Sequence, residues 1–398
     1  MRLILLLLVC NIFLQASDIS LDEIVQKLKN EHPMAKSIKA YEAAYSAENR
    51  AISSNKALQL TTEGAYAKPD LDLDSSGFEY SIGVEQNFLN PSVKKSILKS
   101  NRYQNDAQIL ILKHDFLLLQ NDVRLLYHIN CLDKKAILQY KESYLAFETL
   151  YMKKEKAYQY GEISKKELLQ LQIELERLKG NFNYYQSQVK ASRDALESKI
   201  LMPMFKDNAL SCTDTYPVVE NLFFNIAQES MIEESLDKKI LSLKSDFNRY
   251  EKPFDSFTFS AAFKNEIDTK RYVVGLSVPL NFTSSFNEES RAVALNKKSA
   301  LEYEKQKLKL TRESEITLLQ KQLSQAFQST ELVASILKRY ENELMPLVER
   351  GYRLGEDSAI EYLMSQRDMW MYKKDLIQHY KKYYEILFRL YNVLQIKD

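Results

Sequence analysis

The chain has 398 residues, 45% of them hydrophobic, and only 8 Gly and 8 Pro. So few breakers leave room for very long helices, in a length that would otherwise make two or three ordinary domains. Lys and Arg number 55 against 54 Asp and Glu, and so close a balance supplies no basic field to recruit nucleic acid.

Met1-Arg2, the apolar run Leu3 to Leu14 and then Gln15-Ala16-Ser17-Asp18 follow the order of a secretory signal. The run is too short to span a bilayer as a helix, and a small residue precedes a polar start. Residues 1–16 therefore read as a signal peptide, cut near Ala16. Cys10 raises the alternative of cleavage before an acylated cysteine, but Leu7-Leu8-Val9 lacks the small residue such a cut needs. In an exported chain Cys131 and Cys212 are allowed to bridge. A core of this size does not need a staple, so free, buried thiols are the expectation.

Residues 20 to 56 have a helical pattern (Leu21, Ile24, Val25, Leu28, Ile38, Tyr41) that Pro33 kinks or splits. The same element recurs over 218 to 250, through Leu222, Phe223, Ile226, Ile232, Leu236 and Ile240. Each is followed by a change of period. Residues 58–66 tend to alternate, and 80–88 alternate cleanly, with Tyr80, Ile82, Val84 and Phe88 on one face and Ser81, Gly83, Glu85 and Asn87 on the other. The second half repeats this as Phe257, Phe259, Ala261 and Phe263 (257–263) and as Tyr272, Val274, Leu276, Val278 and Leu280 (272–280). Period two with aromatics on one face predicts four strands, two per half. At about 3.3 Å per residue and a tilt near 45°, each roughly spans the apolar band of an outer membrane. Four strands cannot close such a barrel, so they would have to be shared among subunits. The polar connection from Lys68 to Gly77 contains Asp70-x-Asp72-x-Asp74, but Ser75 stands at the Gly position of a calcium loop and Ser81 at its Glu position. It reads as a solvated tip.

Residues 92 to 157 then run 66 residues without Pro or Gly, and 286 to 345 run 60. The second run keeps a three-four spacing through Ile316, Leu319, Leu323, Ala326, Thr330, Val333, Leu337, Tyr340, Leu344 and Leu347, which predicts a coiled-coil seam. Each run ends in the same motif. Tyr158, Gly161, Ser164, Glu167, Leu169 and Gln172 recur 194 residues later as Tyr352, Gly355, Ser358, Glu361, Leu363 and Gln366. Gly ends one helix in the left-handed conformation, Ser caps the next and Glu takes the third position of a capping box. The chain is thus organised as two repeats, 17–200 and 218–398, each a helix, a strand pair and a long helical hairpin, with tips at 158–167 and 352–361. Residues 201–217, with Pro203, Cys212 and Pro217, form an inter-repeat linker or waist element.

In this order the residues resemble one family, the TolC-like outer-membrane efflux proteins, the trimeric exit ducts of tripartite efflux pumps and type I secretion systems. The resemblance covers essentially the whole mature chain. It implies a mainly α fold with a small β part. Duplicated helical hairpins would form a periplasmic coiled-coil α-barrel, and four amphipathic strands per protomer would contribute to a twelve-stranded transmembrane barrel in a homotrimer. It further implies an outer-membrane location with a long periplasmic extension, a passive channel, and as partners a periplasmic adaptor (membrane fusion protein) and an inner-membrane pump. Tyr80, Ile82, Val84, Phe88, Phe257, Phe259, Tyr272, Val274 and Leu276 would face outer-membrane lipid. The adaptor would dock on the tips, at Tyr158, Gly161, Ser164, Glu167, Tyr352, Gly355 and Ser358. Glu162 and Glu356 follow the two Gly where the family often has Leu. Of the prototype's acidic ring only Glu361 persists, with Met364 and Asp357 at other latch positions. Glu361 is therefore the gate candidate, since a residue on a threefold axis meets two copies of itself and three carboxylates at a constriction attract cations. A helix-start acid favoured by the dipole is the plainer reading, and it applies equally to Glu167.

No catalytic constellation competes. His32, His114, His128 and His379 are scattered and read as packed or solvated. No nucleotide loop or nucleophile elbow is present, and no cofactor or metal is expected. The rivals are a type I protein secretion duct, a periplasmic adaptor, which carries one hairpin among Gly-rich β domains, and a coiled-coil structural protein, which needs no amphipathic strands.

Overall fold

The computed structural model describes residues 18–67, 77–202, 209–213, 215–220, 229–280 and 285–396. The signal peptide at 1–16 with Cys10, the loop carrying Asp70, Asp72 and Asp74, the predicted helical positions Leu222, Phe223 and Ile226, and Pro203 of the linker lie outside the described residues. The chain divides into two compact units. One comprises Met1–Lys36, Asp115–Gln228 and Arg312–Asp398, and the other Ser37–His114 and Glu229–Thr311.

In chain order the elements are α1 (Leu21–Glu31), α2 (Pro33–Ser53), β1 (Gln59–Ala67), β2 (Gly77–Leu89), α3 (Pro91–Gln159), α4 (Lys165–Ile200), α5 (Met231–Tyr250), β3 (Ser256–Asn265), β4 (Lys270–Ser277), α6 (Phe286–Arg339), α7 (Met345–Leu354) and α8 (Ala359–Leu394). Pro33 splits the first helical segment: α1 ends at Glu31, His32 caps it in an extended conformation, and α2 restarts on the proline, whose missing N–H costs nothing there. Ser20 with Glu23 and Ser230 with Glu233 make reciprocal capping boxes that open α1 and α5. Residues 218–220 are not helical, so the second copy of this element starts later than its periodicity suggested.

The second unit holds one antiparallel sheet of order β1-β2-β3-β4. Both β1 and β4 have an unpaired edge among the described residues. β4 stops at Ser277, before Val278 and Leu280, because Pro279 has no N–H to give to a ladder. Val93, Ser100 and Ala107 are buried at heptad spacing on α3, and Ser235 and Ser242 at the same spacing on α5. Ser100 Oγ lies 2.8 Å from Ser242 Oγ.

The first unit contains the large apolar clusters. Leu171, Leu178, Tyr185 and Ser192 are buried on α4 at intervals of seven, facing Ala136, Tyr140 and Phe147 on α3. This is coiled-coil packing of a hairpin. The α6 seam holds from Ile316 to Leu337 and then breaks. Leu344 and Leu347, expected in the seam, are 41% and 66% exposed, while Met345 is buried. The cause is a π-helical turn at Tyr340–Leu344, in which the Met345 N–H reaches back five residues to Tyr340 O. Pro346, at the start of α7, offers no N–H to Asn342 and its ring would strike that carbonyl. One extra residue in the turn relieves the clash and moves the buried face one position along the sequence.

The inter-repeat segment is no loose linker. Ile19 N–H donates to Ala209 O (2.8 Å) and Ser211 N–H to Ile19 O (3.1 Å), so the start of the described chain and residues 209–211 form a short parallel bridge. Further on, Tyr384 Oη donates to Tyr216 O (2.6 Å), and Tyr383 Oη donates to Val219 O (3.0 Å) while accepting from Val219 N–H (3.2 Å). Cys212 is bonded to Cys131, with Cα atoms 5.5 Å apart. Free thiols were the expectation, and the docking of this strap on α3 overturns it by bringing the two cysteines within bridging distance.

His128 sits under the same strap, fully buried among Tyr127, Tyr216, Tyr384 and Phe388. Its Nδ1–H donates to Arg124 O at 2.7 Å and Nε2 accepts from Tyr216 N–H at 2.9 Å, which requires the neutral ring. Burial, with the Arg124 charge adding to it, depresses its pKa from 6.5 to about 4. The unfolded chain therefore binds this proton first as the pH falls. Stability is intact above pH 6.5 and is lost between 6.5 and about 4, by roughly 3 kcal/mol. His32, also depressed by burial, acts in the same direction. Denaturant midpoints of wild type and His128→Gln at pH 7 and pH 4.5 test this: the wild type is expected to lose more stability over the interval, and parallel losses would refute the assignment.

Candidate functional site

Two features stand apart from ordinary packing, and each lies within one unit. The first is the sheet. Its register aligns Leu60, Thr62 and Tyr66 of β1, Phe78, Tyr80, Ile82, Val84 and Phe88 of β2, Phe257, Phe259, Ala261 and Phe263 of β3, and Tyr272, Val274 and Leu276 of β4 on a single face. The nine strand positions named as lipid-facing therefore share one face, whereas Val278 and Leu280 of the alternating set lie beyond the end of β4. Tyr80, Ile82, Val84, Phe259, Tyr272, Val274 and Leu276 are exposed, Tyr272 by 86%, while Phe88 and Phe257 stack on each other at 5.4 Å and are half-buried. The opposite face carries Thr61, Glu63, Glu79, Ser81, Gly83, Glu85, Thr258, Ser260, Lys264 and Gly275. Its space is narrow: a Cβ on Gly83 would come 2.8 Å from Ala262 Cβ. An isolated soluble sheet hides its apolar face and wets its polar one, and this sheet does not.

The second feature is the pair of tips. Gly161 and Gly355 both have φ of 78°, the left-handed conformation that glycine adopts without penalty. Glu162 N–H bonds Ala157 O and Gly161 N–H bonds Tyr158 O, each at 2.9 Å, and the second tip repeats the pattern with Glu356 to Gly351 (2.9 Å) and Gly355 to Tyr352 (3.2 Å). These are Schellman endings. Ser164 Oγ then accepts from Glu167 N–H at 3.1 Å, and Ser358 Oγ from Glu361 N–H at 3.2 Å, to start the return helices. Tyr158, Ser164 and Glu361 are exposed, and Glu167 and Tyr352 half-buried.

The two tips differ in ways that local spacing did not reveal. Glu361 closes its box, accepting from Ser358 N–H at 2.8 Å, whereas the first tip forms only the Ser164 half. The Ser358 backbone N–H, and after it the Ser358 hydroxyl, hold the Glu361 carboxyl below its ordinary pKa. In the second tip Tyr352 stacks on Tyr362 at 4.9 Å, and Lys154 of α3 lies 5.7 Å over the Tyr352 ring, so the tips touch. Leu171 and Leu363 extend this contact into a cluster with Phe147, Leu178 and Trp370. Between α4 and α8 a cavity of about 200 Å³ is lined by Leu171, Glu174, Leu363, Met364 and Arg367. Asp357 folds over Gly351, where a Cβ would meet its carboxylate at 2.2 Å; the first tip has Ala157 at the matching position. A Gly that appears in only one copy of the repeat was the available signal for this difference.

No protein-family model and no curated protein matches the sequence. Solved structures do. A membrane protein from Pseudomonas aeruginosa superposes with a TM-score of 0.76 at 13% identity, over 94% of this chain and 90% of that one. The CmeC outer membrane channel of Campylobacter jejuni gives 0.75 at 15%, over 95% and 87%. The open state of the MtrE outer membrane channel of Neisseria gonorrhoeae gives 0.75 at 14%, over 94% and 88%. With the duplicated hairpins and the four-stranded sheet in the same chain order, the protein has the fold of the TolC-like outer-membrane channels.

Proposed function

We infer that this chain is the outer-membrane channel of an efflux system, a passive exit duct from periplasm to exterior working with a periplasmic adaptor and an inner-membrane pump. The observation that carries the reading is the inverted sheet: an exposed apolar face, a polar face opposite it and two edges unpaired among the described residues. About eight strands are the fewest that close a membrane barrel, so one chain with four needs partners, and three copies would supply twelve. The tips would be the docking end for the adaptor. Purified protein is expected to form a heat-modifiable trimer in outer membranes and to conduct ions in a planar bilayer. A monomeric protein recovered from the soluble periplasm would overturn the reading.

Glu361 is the gate residue in this proposal. Its two bonds to Ser358 keep it ionised and fixed at the helix start, so three copies would present a ring of charge. Glu361→Gln isolates the charge, because Gln at this position still closes a capping box. Cation selectivity is expected to fall in single-channel recordings of the variant. In the wild type, the depressed pKa should preserve selectivity until the pH drops below the ordinary carboxylate value of 4.5. Unchanged selectivity in Glu361→Gln would remove the residue from the gate.

A further inference from the structure

At the foot of the sheet the chain leaves charge unanswered. β2 ends at Leu89 and α3 begins at Pro91, and the first turns of α3 hold Lys94, Lys95, Lys99 and Arg102 with no acid before Asp106. None of the four forms an ion pair or side-chain hydrogen bond with a described residue. Their placement on the helix is equally one-sided. Val93, Ser100 and Ala107 are buried on one face, where Ser100 meets Ser242 of α5, and Asn101 and Asn105 reach Asn49 and Glu48 of α2. At about 100° per residue, Lys95 and Lys99 fall on the side away from both, while Arg102 lies at the border and also lines the groove shared with α2. Lys95, Lys99 and Arg102 are exposed, Lys94 half-buried, and together with Pro91 and Leu98 they rim a shallow depression of about 350 Å³.

The helix's own field makes this arrangement unfavourable. Positive charge in a first turn opposes the macrodipole, which favours acids there. The second repeat obeys that preference, with Glu288 and Glu289 opening α6 at the positions 194 residues beyond Lys94 and Lys95. Only one repeat reverses the sign, and it does so just beyond the Phe88–Phe257 row that ends the apolar face. An anion held at the border of an apolar band would answer both the unpaired cations and the helix terminus, and no described residue supplies one.

We propose that Lys94, Lys95, Lys99 and Arg102 bind the phosphate headgroups of anionic phospholipid in the leaflet that faces the periplasm, with the acyl chains against the apolar face of the sheet. The proposal rests on the lipid-facing reading of that face and adds to it a chemical preference among lipids. It also accounts for cations tolerated where the bare helix would favour carboxylates.

The test reconstitutes the full chain in nanodiscs of phosphatidylcholine with graded phosphatidylglycerol and counts the lipids retained on extraction by native mass spectrometry. The wild type is expected to retain phosphatidylglycerol preferentially, less so as salt is raised. The combined Lys94→Gln, Lys95→Gln, Lys99→Gln, Arg102→Gln variant should lose that preference by about tenfold or more, and the control pair Lys135→Gln, Lys321→Gln should keep it. In detergent free of anionic lipid the combined variant should melt no lower than wild type, since it sheds charge that opposes the dipole; a much lower melting point would assign the cations a structural role and overturn the proposal. Insertion with undiminished phosphatidylglycerol retention in the variant also overturns it, as does wild-type insertion without any headgroup preference. Failure of the wild type to enter phosphatidylcholine bilayers at all would instead remove the lipid-facing reading. Loss of oligomers in the variant, restored by Glu288→Lys with Glu289→Lys, would show a contact between copies and reject the lipid.

Discussion

A chain carrying both Ile82→Lys and Val274→Lys is expected not to assemble in a bilayer, while Glu85→Lys assembles normally. Ile82 and Val274 lie mid-strand on the apolar face and are 50% and 70% exposed, whereas Glu85 lies on the polar face between Gln59 and Ser260, neither of them charged. A lysine on the lipid side of a membrane barrel costs about 2–4 kcal/mol near the midplane. Two such substitutions consume much of the roughly 5–15 kcal/mol by which a folded protein is stable. The contrast with a soluble sheet is decisive, because exposed positions in water tolerate lysine to within about 0.5 kcal/mol. The measurement is the fraction of heat-modifiable oligomer formed on refolding into liposomes. Wild-type yield from the double variant would mean that this face never meets lipid, and the channel proposal would lose its main support.

Signals confined to one turn of chain were legible in the sequence, and those set by tertiary contact were not. Gly161 and Gly355 adopt the left-handed conformation, and Ser164 and Ser358 the caps, that their spacing to the following Glu demands, because each device satisfies backbone groups within six residues. Period two placed the strand residues on one face for the same reason, since alternation follows from backbone geometry alone. The seam on α6 shows the limit of pattern. Hydrophobic spacing continues to Leu347, but Pro346 forces the π turn and Met345 takes the buried place. A proline can outweigh periodicity because its missing N–H and its ring act on the preceding turn directly. The Lys154–Tyr352 contact and the strap under Tyr383 and Tyr384 depend on neighbours far away in sequence, and no local window contains them.

Reduction of the Cys131–Cys212 bond, or its removal by Cys131→Ser with Cys212→Ser, is expected to be the most destabilising change that leaves the surface untouched. The bond closes a loop of 81 residues, which in the chain-entropy account confines the unfolded state by roughly 4 kcal/mol. The strap it secures has further reason to leave its seat once released. Cys212 holds a left-handed φ of 54°, a conformation that costs a non-glycine residue about 1–2 kcal/mol, and the strap's remaining polar anchors are hydrogen bonds to Ile19, Tyr127, His128, Lys134, Tyr383 and Tyr384. Opening it would bring water to the buried His128 ring, whose only acceptor site is filled by Tyr216 N–H. Reduction and mild acid should therefore overlap in effect: the double serine variant is expected to show a lower denaturant midpoint at pH 7 and a smaller additional loss at pH 4.5 than wild type, because the contact that acid breaks is already weakened. Two effects that simply add would show that the bond and the histidine hold different parts of the structure. An unchanged midpoint under reductant at pH 7 would show that the tyrosine contacts alone keep the strap in place.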